Sequence, residues 1–122
     1  MAQHEVVLFL ELVRRAHAQG SLVYRGSRTK NMDTLATLGW TRRDMYACVA
    51  GLQPEEALGV PWDNRHPEHP DERVCEFGTH VEAYEIYIKV TAATQGSQVL
   101  GCVISFHFAE RALQFPFVNR KV

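Results

Sequence analysis

The stretch Tyr84-Glu85-Ile86-Tyr87-Ile88-Lys89-Val90, followed across Thr94-Gln95-Gly96-Ser97 by Val99–Phe108, decides the fold. Both runs are rich in β-branched and aromatic residues, the first nearly alternates apolar with polar, and the residues between them have turn chemistry. The pattern predicts an antiparallel hairpin. Successive strand side chains point to opposite faces. Ile86, Ile88 and Val90 are therefore expected on the core face, together with Cys102, Ile104, Phe106 and Phe108 of the returning strand. Glu85, Tyr87 and Lys89 are expected on the other face, with Ser105 and His107. Upstream, Arg73–Phe77 reads as a short strand that brings Glu76 to the same face. Downstream, Leu113-Gln114-Phe115-Pro116-Phe117 is apolar and is expected to pack on the sheet.

Towards the N-terminus the period changes. Val6, Phe9, Leu10, Val13 and Ala16 recur at helical spacing, and Gly20 supplies a stop. Leu22-Val23-Tyr24 is long enough for a short strand only. A second helix is predicted over Met32–Leu38, ended by Gly39. Thr41 with Asp44 three residues on forms a capping-box pattern, so a third helix is expected over about Arg42–Ala50, stopping at Gly51. Its inward positions are Met45, Cys48 and Val49. Four of the five prolines fall between Gln53 and Asp71. That segment reads as a long loop bordering the sheet, able to reach a ligand through Trp62 or Arg65. Helices first and strands last indicate a single α+β domain over residues 1–122, with the helices packed on one face of a small antiparallel sheet.

Composition agrees with one globular domain. The chain has 122 residues, 46% hydrophobic and 22% charged, far from the composition of disorder. The longest apolar run, Val6–Leu10, is much shorter than the ~20 residues of a membrane span. No basic leader with a small-residue cleavage site is visible, so no membrane association and a cytoplasmic location are expected. Cys48, Cys75 and Cys102 form no CxxC pair and are expected to be free buried thiols of a reducing compartment. A formal net charge of −1 argues against a strongly basic nucleic-acid binder. The charge is split, however, with +3 on residues 1–51 and −4 on residues 52–122.

The polar face of the hairpin is the first candidate for chemistry. A phenol (Tyr87), an ammonium (Lys89), an imidazole (His107) and a carboxylate (Glu76), with the Ser105 hydroxyl, are the groups that metal-free phosphodiester cleavage requires. A base takes the proton of the ribose 2′-hydroxyl, cations hold the developing charge, and an acid protonates the leaving oxygen. The plainer explanation is an ordinary solvated sheet face. Arg14, Arg15, Arg25, Arg28, Lys30, Arg42 and Arg43 could track phosphates, and Tyr24, Trp40 and Trp62 could stack bases. Core or loop packing is the plainer role for the aromatics, as a solvated helix face is for Arg14 and Arg15. His66, Glu68, His69 and Asp71, with His80 nearby, could be metal ligands. Pro67 and Pro70 interrupt them, so a polar loop is the better reading, and no metal or other cofactor is expected.

An ordered set of motifs adds a resemblance. Glu85-Ile86-Tyr87-Ile88-Lys89-Val90 followed by Val103-Ile104-Ser105-Phe106-His107 resembles the closing hairpin of the MqsR family of mRNA interferase toxins. Leu38-Gly39 and Met45-Tyr46-Ala47-Cys48-Val49-Ala50-Gly51-Leu52 resemble that family's Leu-Gly and Met-x-x-Val-x-x-Gly-Leu helix, and the similarity runs in order over most of residues 5–108. It implies a RelE-like ribonuclease fold, endonucleolytic cleavage of single-stranded mRNA without a metal, and a cognate antitoxin that neutralises the enzyme. Tyr87 matches the family's strand tyrosine and Lys89 the lysine two residues on. His107 stands where the family can place a lysine and Glu76 where it can place a glutamine, while the family's loop lysine has no counterpart. The resemblance therefore implies Tyr87, Lys89, His107 and Glu76 as catalytic groups, with acid–base work shifted towards His107 and Glu76. Ser105, Arg65, Trp62 and Arg28 are the expected substrate contacts. For the antitoxin, unpaired strand edges and the Phe115-Pro116-Phe117 tail are the expected docking features. A catalytically silent protein-binding module of the same fold is the alternative.

Overall fold

The computed structural model of the chain describes residues 2–26, 28–65, 67–68 and 71–118. Helices α1 (Ala2–Ala18), α2 (Thr29–Leu38) and α3 (Arg42–Ala50) pack with strands β1 (Leu22–Tyr24), β2 (Trp62–Asp63), β3 (Arg73–Val81), β4 (Tyr84–Gln95) and β5 (Gln98–Phe108). The strands form one sheet in the order β1-β5-β4-β3-β2, so the fold is α+β. The sheet is mixed rather than wholly antiparallel. β1 lies parallel to β5, Leu22 opposite Gly101, and the chain between them runs through α2, α3 and the other three strands of the sheet. All other neighbours are antiparallel.

The core is a single layer between helices and sheet. Val6, Phe9, Leu10 and Val13 of α1 meet Phe77, Ile86, Ile88, Val90 and Phe106, with Met45 and Val49 of α3 at one end. These are the positions that the helical and strand periods select. Local chemistry sets the helix ends. Gly39 ends α2 at φ 70°, a left-handed conformation that glycine reaches without a Cβ penalty. At the start of α3, Thr41 Oγ1 accepts from Asp44 N at 3.2 Å and Thr41 N donates to Asp44 Oδ2 at 2.9 Å, as the spacing predicts. Met45 and Val49 are buried while Cys48 is only half-buried. Arg14 of α1 is spent on the other end of α3. Its Nε donates to Ala50 O at 3.1 Å and its Nη2 to Leu52 O, holding two carbonyls at the helix C-terminus. It is therefore neither a plain solvated side chain nor a phosphate contact.

Residues 53–64 are more ordered than Pro54 and Pro61 suggest. A 3₁₀ turn at Pro54–Glu56 leads to an isolated bridge between Ala57 and Phe77, and Trp62 and Asp63 pair with Val74 and Arg73. Leu58 N donates to Glu76 O at 2.9 Å and Asn64 N to Glu72 O at 2.8 Å. The segment thus clothes the outer edge of β3, which itself runs four residues past the expected end, to Val81. Pro54 sits at the start of the turn and Pro61 just before β2, where no ladder donor is needed.

One irregularity in β5 governs what faces where. Val90 pairs with Val103 but Lys89 pairs with Ser105, which leaves Ile104 over as a β-bulge. Before the bulge, Val99 and Val103 face the helices; after it, Phe106 does. Cys102 and Ile104 therefore do not share the core face with Phe106, contrary to the alternation count. Cys102 instead lies in a row with Thr91, Val74 and Trp62 on the opposite face. Phe108 packs against the core as expected.

The exposed edge of β5 is closed in two ways. β1 and the following residue cover it as far as Val103, with Arg25 N donating to Val103 O at 3.1 Å. Beyond that point two buried side chains of α2 stand in for a strand. Asn31, 0% exposed, donates from Nδ2 to Ile104 O at 3.2 Å and accepts from Phe106 N on Oδ1 at 3.1 Å. Thr34 Oγ1 accepts from Phe108 N at 3.3 Å.

Candidate active site

The face of the sheet away from α1 and α3 carries the polar rows. Strand register puts Gly78, Tyr87 and His107 in one row and Glu76, Lys89 and Ser105 in the next. Glu76, Tyr87 and His107 form the floor of a cleft of about 520 Å³. Arg28 and Lys30, at the start of α2, form one wall; Glu110–Gln114, the segment after β5, forms the other. The tail crosses this face because β3 carries a glycine there. A Cβ on Gly78 would lie 2.5 Å from Leu113 Cδ1 and 3.0 Å from Phe115 Cζ. The apolar tail thus packs on the sheet, as its sequence predicts.

Three side chains on the floor are coupled. The Tyr87 hydroxyl donates to the Glu76 carboxylate. The Tyr87 and His107 rings lie 5.2 Å apart at 36°. His107 is 4% exposed, and its Nδ1 sits 2.9 Å from Phe108 O. A carbonyl oxygen only accepts, so Nδ1 carries the proton and Nε2 is the open nitrogen of the ring. Burial raises the Tyr87 pKa well above its ordinary value; the Glu76 hydrogen bond and charge raise it further, and Arg28 pulls the other way. Tyr87 is therefore a neutral phenol at physiological pH. The floor offers one imidazole nitrogen able to take a proton, one hydroxyl able to donate, and a carboxylate that orients it.

Of the residues that the sequence singles out, Glu76, Tyr87, His107 and Arg28 come together. Lys89 and Ser105 share a row with Glu76 but do not line the cleft. Ser105 is buried and offers no surface to a large ligand. Trp62 is exposed on the same face, about 13 Å along the strands and two strands over from Tyr87. Arg65 follows β2 and is likewise outside the cleft. His66 and His69 lie outside the described residues. Among the described residues no group of three His, Cys, Asp or Glu is arranged to hold a metal ion.

The cations of the first half are mostly engaged. Arg25 grips Glu72 with two nitrogens, at 2.8 and 3.0 Å, beside Cys102. Arg42 lies over the Tyr24 ring, 5.0 Å from its centroid, and Lys30 is paired with Glu110. Arg28 makes no ion pair among the described residues. Trp40 packs on the core against Phe106. Lys30, named from the sequence only among the cations able to track phosphates, lines the cleft together with two residues that the sequence did not single out, Glu110 and Arg111. Only the path of the chain after β5 brings the last two there, and no local pattern encodes that path.

Comparison with protein-family models, with curated proteins and with solved structures finds no match in any of the three. Among the described residues no helix is long and apolar enough to cross a membrane.

Proposed function

We propose that the chain is a metal-independent endoribonuclease with a RelE-like fold, an mRNA interferase toxin of MqsR type acting on single-stranded RNA. The observation that carries this reading is the convergence of Glu76, Tyr87 and His107 on the floor of one cleft with Arg28 and Lys30 on its wall. The ordered hairpin and helix motifs support it independently. In the reaction, His107 Nε2 takes the proton of the ribose 2′-hydroxyl as that oxygen bonds to phosphorus. The Tyr87 hydroxyl turns from Glu76 to a phosphoryl oxygen, and Arg28 offsets the growing negative charge. The imidazolium then gives its proton to the departing 5′-oxygen, leaving a 2′,3′-cyclic phosphate and a 5′-hydroxyl. Lys89 contributes long-range positive potential from the next row. Trp62 stacks a base two or three nucleotides away.

Purified protein with single-stranded RNA in EDTA tests this reading. Cleavage is expected to persist in the chelator and to fall at least 100-fold in His107→Ala. Undegraded RNA at every protein excess, with folding verified, would remove the enzyme. The same reading places the chain beside a cytoplasmic antitoxin, so expression alone should arrest growth and co-expression of the adjacent open reading frame should relieve it. A second reading, a catalytically silent protein-binding module, is favoured by one observation: an internal carboxylate already holds Lys30. It takes the lead if expression is harmless with Tyr87, Lys89 and His107 intact.

A further inference from the structure

The cleft carries an anion of its own. Glu110 Oε1 accepts from Lys30 Nζ at 2.9 Å, linking the segment after β5 to the first turn of α2, one wall of the cleft to the other. Inside, His107 is almost wholly buried, yet its Nε2 has no hydrogen-bond partner among the described residues. An open imidazole acceptor on the floor of a cleft whose wall carries Arg28, a guanidinium without an ion pair among the described residues, is complementary to a ligand that brings a hydroxyl donor beside an anionic group. We propose that Arg28 and Lys30 form a phosphate-binding site and that Glu110 occupies it as an internal stand-in, so that a bound phosphate group displaces Glu110 from Lys30. The proposal rests on the ribonuclease reading only in taking that phosphate to be a phosphodiester of RNA.

The strength of the contact suits exchange. Lys30 and Glu110 side chains are 41% and 68% exposed, and such ion pairs hold weakly in water. Lys30 holds the Glu110 carboxyl below the usual carboxylate range, so the competitor is ionised at neutral pH. The movement required is small. Ala109 N donates to Glu85 O at 2.8 Å on one side, and Leu113 is seated over Gly78 on the other. Only Glu110–Ala112 has to shift, and Arg111, in the same wall, is carried along as a further cation for the ligand.

Binding of a 2′-O-methyl oligoribonucleotide, which lacks the attacking hydroxyl, separates affinity from cleavage; inorganic phosphate is the second probe. Glu110→Gln is expected to bind both about two- to five-fold more tightly than the wild-type chain, the range an exposed ion pair supplies. Lys30→Met is expected to bind both more weakly, and adding Glu110→Gln to it should recover almost none of the gain. Both side chains are solvent-exposed, and circular dichroism verifies folding in each variant. An equal gain in both backgrounds would mean a general charge effect and overturn the proposal, as would no gain in either. Coupling with inorganic phosphate but not with the oligonucleotide would overturn the assignment to RNA. Lys30–Glu110 coupling without cleavage of unmodified RNA by the wild-type chain would leave the phosphate site standing and remove the ribonuclease.

Discussion

Tyr87 is held as a phenol by its surroundings, and that has a pH signature independent of any activity. Its pKa lies above the ordinary value of 10.0, chiefly through burial and then through Glu76. Below pH 10 the folded and unfolded chains both carry the proton, so the shift has no effect on stability. Above pH 10 the unfolded chain ionises first, and stability falls until the pH passes the folded-state pKa. Denaturant midpoints at pH 9 and pH 11 should therefore drop more for the wild-type chain than for Tyr87→Phe. Equal drops would mean that the Tyr87 hydroxyl is not held as described. The sequence marked Tyr87, His107 and Glu76 because strand alternation alone puts them on one face. It marked Lys30 only among the cations able to track phosphates and did not mark Glu110, because their meeting depends on how residues 109–112 turn after the last strand.

Elements differ in how openly their residues declare them. The first and third helices and the hairpin were legible because period, caps and turn chemistry agree at each of them. Residues 53–64 were not, because Pro54, Pro61 and their polar neighbours favour a loop locally, whereas the unpaired edge of β3 recruits Ala57, Trp62 and Asp63 into the sheet. The inside–outside assignment of β5 failed at Cys102 and Ile104 because counting alternate residues assumes one-to-one pairing, and Ile104 has no partner of its own. The bulge makes a specific prediction. Deleting Ile104 restores one-to-one pairing and leaves each facing as it is, with Val103 and Phe106 towards the helices and Ser105 and His107 on the cleft face. What is lost is a half-buried side chain and the acceptor that Ile104 O offers to Asn31 Nδ2, about 1–3 kcal/mol together. Chemical denaturation measures it, and a loss above about 5 kcal/mol would show that the strand does not keep its facing once the bulge is removed.

At the scale of the whole molecule, the split of charge between the two halves of the sequence becomes a set of links between them. Arg25 binds Glu72, Lys30 binds Glu110, and Arg73 reaches back to Glu5, so opposite charges meet across the chain instead of forming two separate patches. Helices cover one face of the sheet and the tail crosses the other, which leaves its edges as the remaining open surface. The β5 edge has little to offer a docking strand while Asn31 and Thr34 occupy its hydrogen-bonding groups. Asn31→Leu removes that cover and orphans Phe106 N and Ile104 O, a loss of about 2–3 kcal/mol. It should also do something that a simple loss of stability would not. The bared strand is a template for a like strand from another molecule, so the variant should self-associate with rising concentration while still folded, as size-exclusion chromatography would record. A monodisperse Asn31→Leu variant at millimolar concentration would refute this. Seen this way, one buried amide sets how crowded a solution the protein tolerates: it is a solubility device built into the first turn of a helix.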